Sequence, residues 1–215
     1  MCRILYARAD TAFSLGDQLE AFAEMARSSR EYQGHGWGCA WRDVDSDADG
    51  WRQYHNIRPI WEDDLSQFGK SHFLLVHARS AFRDEGIVVE NNMPFSDGDS
   101  VFVFNGELRG VRIQSEGRIG AEKIYNYIRR FDKGDICAAT AKAVDIINKR
   151  STYVRAMNII LANAEQSCLS TTYSEDPQYF QMYRKQDGDL QLVCSRPLRD
   201  ETDWCAIENN TTIQL

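Results

Sequence analysis

The sequence lacks the features that most quickly assign a chain to a class. No two of its six cysteines, at 2, 39, 137, 168, 194 and 205, are spaced as C-x-x-C, and its four histidines lie apart at 35, 55, 72 and 77. Without a Cys/His cluster there is no zinc signature, and neither a metal nor a cofactor is expected. No apolar run approaches the ~20 residues that cross a bilayer. The start, MCRILYARAD, has no apolar stretch running to a small-residue cleavage site. No membrane partner is expected, and the cytoplasm is the default location. Positive charge is also short, with 25 Lys and Arg against 32 Asp and Glu for a formal net charge of −7. Read along the chain the basic residues look scattered, which argues against a nucleic-acid partner, because phosphate neutralisation needs clustered cations.

What is present reads as an ordinary globular core. Hydrophobic residues make up 43% of the 215, enough to fold without disulfides or a structural metal. Cys39, Cys137, Cys168 and Cys194 sit in apolar stretches, where a free thiol behaves as a small hydrophobe. Residues 2–7 alternate as a short strand with Cys2, Ile4 and Tyr6 on one face. A helix follows over Leu15 to Arg27, with Leu15, Leu19, Phe22, Ala23 and Ala26 as its apolar stripe. DVDSDADG (43–50) reads as a solvated acidic loop lacking the closing Glu of a calcium site. HFLLVHARSA (72–81) and VFVFNGEL (101–108) read as buried strands. Two helices come next: one has Ile119, Ile124, Ile128 and Phe131 on a face, the other Ala138, Ala141, Val144 and Ile147 with Ile146 beside them. The last third, with MNIILA, CLSTTY, YFQMYRK and LQLVCS, reads as strands, and Asp187-Gly188 in QDGD centres a tight hairpin. Strands, a helix pair and further strands give an α+β protein. With no repeat or Pro/Gly-rich linker, one domain over 1–215 is expected.

Four residues carry the chemistry. A cysteine behind the initiator Met becomes, once Met1 is removed, a residue with a thiol and a primary amine on one framework. An α-amine has an unperturbed pKa of roughly 7.7–8.0. It can therefore take the thiol proton and return it to a leaving amine without any histidine. Asn105 and Gly106, in FNGE, can offer a side-chain amide and a backbone N–H to one developing oxyanion. Arg79, among apolar residues on an interior strand, must have a carboxylate partner, either internal or from a substrate, because a buried unpaired guanidinium is costly.

MCRILY at the start, GHGWGCAW at 34–41, HARSA at 77–81, NNMPF at 91–95, FNGEL at 104–108 and SRPL at 195–198 follow one another in the order seen in class II glutamine amidotransferases. Over essentially its whole length the chain resembles the small stand-alone members of that family. The resemblance implies a four-layer αββα sandwich of two stacked antiparallel sheets of the N-terminal-nucleophile (Ntn) hydrolase kind. It implies Cys2 as nucleophile through a γ-glutamyl thioester, its own amine as base, and Asn105 with Gly106 as oxyanion hole. Arg79 would grip the α-carboxylate of glutamine or a γ-glutamyl amide, and Gly36 and Trp37 would lie on a glycine-rich loop near the pocket. If ammonia is passed on for synthesis, a separate synthase partner would accept it.

Four positions depart from the family pattern. RIGAEK (118–123) puts Gly120 where the family carries an Asp for the substrate's α-ammonium, so either Glu116, Glu122 or another acid substitutes, or the substrate lacks a free ammonium there. Met93 replaces a histidine, and Phe82 and Arg83 stand where polar contacts are usual. The catalytic residues are retained while the amino-acid clamp is altered. Two other readings remain open: an acylase acting on a different carboxylate-bearing amide, and an inactive subunit that senses a ligand.

Overall fold

In the computed structural model of the chain, residues 1–43, 50–199 and 201–215 are described, so all but the ends of the acidic loop at 43–50 lies outside the described residues. The chain runs β1 (Arg3–Ser14), α1 (Leu15–Arg27), β2 (Trp37–Trp41), β3 (Arg52–Asn56), β4 (Lys70–Ala78), β5 (Phe95–Ser96), β6 (Ser100–Arg109), α2 (Gly120–Arg129) and α3 (Ile136–Arg150). It continues through β7 (Tyr153–Asn163), β8 (Ser167–Thr171), α4 (Pro177–Phe180), β9 (Tyr183–Asp187), β10 (Leu190–Cys194), β11 (Cys205–Ala206) and β12 (Thr211–Gln214). These elements form two compact units, Met1–Pro94 with Met182–Ile207, and Phe95–Gln181 with Glu208–Leu215. Each is built on one antiparallel sheet, the α+β class expected.

The first unit holds a seven-stranded sheet in the order β11-β9-β10-β1-β4-β2-β3. Side chains alternate along β1 and β4, so Leu5, Ala7, Leu74, Val76 and Ala78 share a face. On that face they join Trp37, Cys39 and the apolar stripe of α1, chiefly Leu15, Leu19, Phe22 and Met25. Each leucine, valine, phenylalanine and methionine among them contributes roughly 1.5–3 kcal/mol on full burial. Ser14 starts α1 by accepting the N–H of Asp17 (3.2 Å), a capping bond that fixes where β1 turns into helix. On the opposite face of the sheet Ile4, Tyr6, Leu75 and Val193 are also fully buried. By the same alternation Cys2 and Arg79, one residue beyond the strand ends, belong to this second face.

The second unit holds a five-stranded sheet in the order β12-β8-β7-β6-β5, with α2 and α3. Phe102 of β6 stacks on Tyr125 of α2 with ring centroids 5.0 Å apart. Asn105, three residues along a period-two strand, therefore lies on the other face from Phe102.

Three expectations are corrected here. Ala138 and Ala141 are exposed, and the buried stripe of α3 is Ile136, Ala139, Ala143, Val144 and Ile147. Asp135 caps the helix by accepting from Ala138 N–H (2.8 Å), so Ile136 leads it and sets the phase of the stripe. YFQMYRK is not one strand: Pro177 opens the short α4, with its ring preset for a first helical turn, and β9 begins only at Tyr183. The hairpin is present, but Asp187 pairs with Leu190, so its two-residue loop is Gly188-Asp189, with Gly188 at φ +60°.

Candidate active site

In the first unit three strand ends meet at one edge of the sheet. Arg3 pairs with Ala78, and Ala78 pairs with Trp37, which places Cys2, Arg79 and Gly36 at the next row. The row is stitched by backbone bonds, Arg79 N–H to the Gly36 carbonyl (2.9 Å) and His35 N–H to the Arg79 carbonyl (3.1 Å). The Cys2 thiol lies against the backbone of Ser80, accepting its N–H at 3.5 Å and donating to its carbonyl at 3.7 Å. Burial pushes the Cys2 thiol pKa up, opposed by the terminal ammonium, the Ser80 N–H and Arg79. A thiol held in its neutral form needs a base before it can attack.

Arg79 is 6% exposed, and its Nη1 has no hydrogen-bond partner. Among the described side chains no carboxylate pairs with it. Burial lowers its pKa, and the adjacent Cys2 opposes that shift. A guanidinium kept out of water beside a thiol, with no internal acid described, is a site for an incoming anion.

Gly36 is required by close approach. It sits at φ +102°, and a Cβ there would meet the Asn92 side-chain nitrogen at 2.1 Å. That Asn92 amide donates to the Asn56 carbonyl (2.8 Å), so the NNMPF segment braces the loop before β2. Met93 is buried at 3% exposed, and the following Pro94 carbonyl accepts from or faces His55 Nε2 at 3.0 Å. The Trp37 side chain goes into the α1 side of the core. Its indole N–H donates to Asp63 (3.0 Å), which Tyr54 and Asn56 also contact. Its backbone stands in the row of Arg3 and Ala78, one removed from Cys2 and Arg79, so of the two loop residues only Gly36 shares their row.

In the second unit Asn105 and Gly106 lie within β6, which continues to Arg109. Asn105 is fully buried, and neither its Nδ2 nor its Oδ1 has a partner. Its cross-strand neighbour Asn158 is equally buried yet satisfied, donating to the Phe180 carbonyl (2.8 Å) and accepting from Thr171 (2.7 Å). Native proteins leave few buried polar groups unpaired, so the orphaned amide of Asn105 marks a donor reserved for something else. Gly106 has no room for a side chain, since a Cβ would stand 2.1 Å from the Ala156 carbonyl oxygen. Glu122, in the first turn of α2, is taken up by Arg118, whose Nε and Nη2 lie 3.0 and 2.6 Å from its carboxylate. Those hydrogen bonds hold the Glu122 carboxyl below its ordinary range.

Several residues were not singled out by sequence. Ser195 fixes the start of β1, accepting Ile4 N–H on its hydroxyl (3.0 Å) and donating its own N–H to the Ile4 carbonyl (3.1 Å). Arg3 reaches the Ser195 carbonyl (3.1 Å). Both belong to quoted motifs, MCRILY and SRPL, whose side-chain roles appear only once the strands are paired. Met1 is held at both ends, its ammonium by Glu31 and its carbonyl by the buried Gln33 amide (2.7 Å). Neither residue stands out in the sequence.

No protein-family model matches the sequence, and no curated protein matches it. Solved structures do match in fold. A glutamine aminotransferase class-II domain protein from Silicibacter pomeroyi superposes with a TM-score of 0.68 at 16% identity, over 99% of this chain and 94% of that one. A predicted glutamine amidotransferase from Pseudomonas aeruginosa gives 0.61 at 16% identity, over 99% and 96%. Glutamine phosphoribosylpyrophosphate amidotransferase from B. subtilis gives 0.61 at 14%, over 90% of this chain and 42% of that larger one. The chain therefore has the fold of the class II glutamine amidotransferases.

Proposed function

We propose that the chain is an amidohydrolase that cleaves the side-chain amide of glutamine or a γ-glutamyl amide, with Cys2 as nucleophile after removal of Met1. The observation that carries this reading is a partly buried thiol beside Arg79, a buried cation that has no acid partner among the described side chains. In this reading Arg79 receives the substrate's α-carboxylate in a bidentate fork. The freed Cys2 amine takes the thiol proton, and sulfur attacks the amide carbon. Asn105 Nδ2 and the Gly106 N–H hold the oxygen as it becomes negative. The amine returns the proton to the departing ammonia or amine, and water then hydrolyses the thioester.

One observation narrows the substrate. The family's clamp for an α-ammonium is absent at Gly120, and Glu122 is already neutralised by Arg118. That favours amides whose α-ammonium is masked or absent over free glutamine, whether γ-glutamyl compounds or another carboxylate-bearing amide. A stand-alone hydrolase needs no second protein, whereas ammonia transfer would need a synthase partner. The test is a panel of glutamine, N-acylated glutamine and γ-glutamyl amides, read as ammonia or amine release by Met1-processed protein. Turnover of at least one, abolished by Cys2→Ala, is expected; no turnover of any, with other amides cleaved, would move the assignment to a different acylase.

A further inference from the structure

We propose that the second unit binds a small organic phosphate ester in a cavity walled by Arg112, Arg130 and Arg150. Although the basic residues look scattered along the chain, they are not. Residues 109–150 hold ten Lys and Arg against five Asp and Glu, a net charge of +5 inside a protein of −7. The unit contains seven arginines, and four of them have acidic partners: Arg109 on Glu107, Arg118 on Glu122, Arg129 on Asp97 and Arg155 on Asp176. The other three are Arg112, Arg130 and Arg150, and no carboxylate among the described residues pairs with any of them. All three line one cavity of 520 Å³. Such a volume falls inside the range of about 300–1,000 Å³ usual for small-molecule sites.

The fold holds the three together. Arg112 N–H donates to the Arg150 carbonyl (2.9 Å), tying the segment after β6 to the end of α3. Arg130 donates to the Gln114 carbonyl (2.9 Å) and lies over the Tyr127 ring. Two of the guanidiniums stand at helix C-termini, where each offsets a partial charge of only about half a unit. Arg112 is on neither helix. Three full charges therefore exceed what the helix ends explain, and the surplus suits a phosphate, whose oxygens accept from several guanidinium forks at once. Ile113 and Phe131 give the cavity an apolar side, which suits an organic remainder. A neighbouring groove of 780 Å³ shares Gln114 and Arg130 and adds Ser115 and Asn126, neutral groups suited to hydroxyls. Glu116 also lines that groove and disfavours a second phosphate there.

The site does not involve Cys2 and stands or falls separately from the catalytic reading. Calorimetric titration of the full chain with AMP and ribose 5-phosphate, and with inorganic phosphate, adenosine and ribose for comparison, tests it. Saturable one-to-one binding of both esters is expected, with no binding of adenosine or ribose. R112Q and R150Q should each weaken binding roughly tenfold with the melting temperature and amidase activity retained. Should either variant unfold, R112K or R150K replaces it, keeping the charge and losing the fork. Failure of both esters to bind, or equal binding by wild type and variants, overturns the site. Inorganic phosphate binding as tightly as the esters removes the organic part, and a glutamate-rich peptide that binds and is not displaced by AMP makes the surface a protein-docking face instead.

Discussion

Two asparagines on adjacent strands separate function from stability at the scale of single residues. Asn158 is buried and satisfied, Asn105 buried and unsatisfied. Asn158→Ala strands the Phe180 carbonyl and the Thr171 hydroxyl, and should cost about 1–3 kcal/mol in a denaturant titration. Asn105→Ala removes an amide that already lacks partners, so stability should hold or rise, while turnover falls by roughly 10²–10³-fold if it is an oxyanion donor. Near-normal turnover would take the oxyanion role from Asn105. Arg79→Met should likewise leave the melting temperature unchanged or higher, because an unpaired buried cation gives way to an apolar side chain of similar length. Its KM should rise steeply; a loss of stability with KM intact would mean that Arg79 serves the fold. Residue identities were legible in the sequence here. Whether each amide or guanidinium is left unpaired was not, because that depends on contacts made across strands far apart in the chain.

Among the elements, β6 is the one whose reading matters most. The strand expected over 101–108 is present and runs from Ser100 to Arg109, with Gly106 lying flush against β7. Gly106→Ala would drive a Cβ into the Ala156 carbonyl and should destabilise by about 1–3 kcal/mol, measured by chemical unfolding. An unchanged midpoint would show that the strands can part without cost. Asp97 and Glu122 add a pH dependence to the second unit. Burial pushes Asp97 up, but the Ser100 N–H, the Tyr125 hydroxyl and Arg129 outweigh it, and Arg118 lowers Glu122. With folded pKa values below the unfolded ones, the unfolded chain binds these protons more tightly. Both groups therefore stabilise fully above about pH 4–5 and lose that contribution as pH falls through their lower folded values. Melting temperature should drop on acidification towards pH 3, less steeply in Asp97→Asn; an identical slope would clear Asp97. Strand and helix order was legible from apolar periodicity. The one-residue slip of α3 and the helix inside YFQMYRK were not, because a cap at Asp135 and a proline at 177 outweigh a short apolar pattern.

At the scale of the whole molecule, the order of six short motifs carried more than any single one. Their positions agree with an α+β chain of two antiparallel sheets whose fold matches class II glutamine amidotransferase structures at 16% identity. The substrate was not legible, since the clamp positions are those that differ. The central claim is that an acyl group passes through Cys2 of the processed chain. It is tested most directly by acid-quenching the protein during turnover of a γ-glutamyl amide and mapping the adduct by peptide mass. The expected result is a single acyl group on the thiol of an N-terminal peptide that begins at Cys2, absent from Cys2→Ala. Full activity in protein that retains Met1, or an adduct on any other residue, would contradict it.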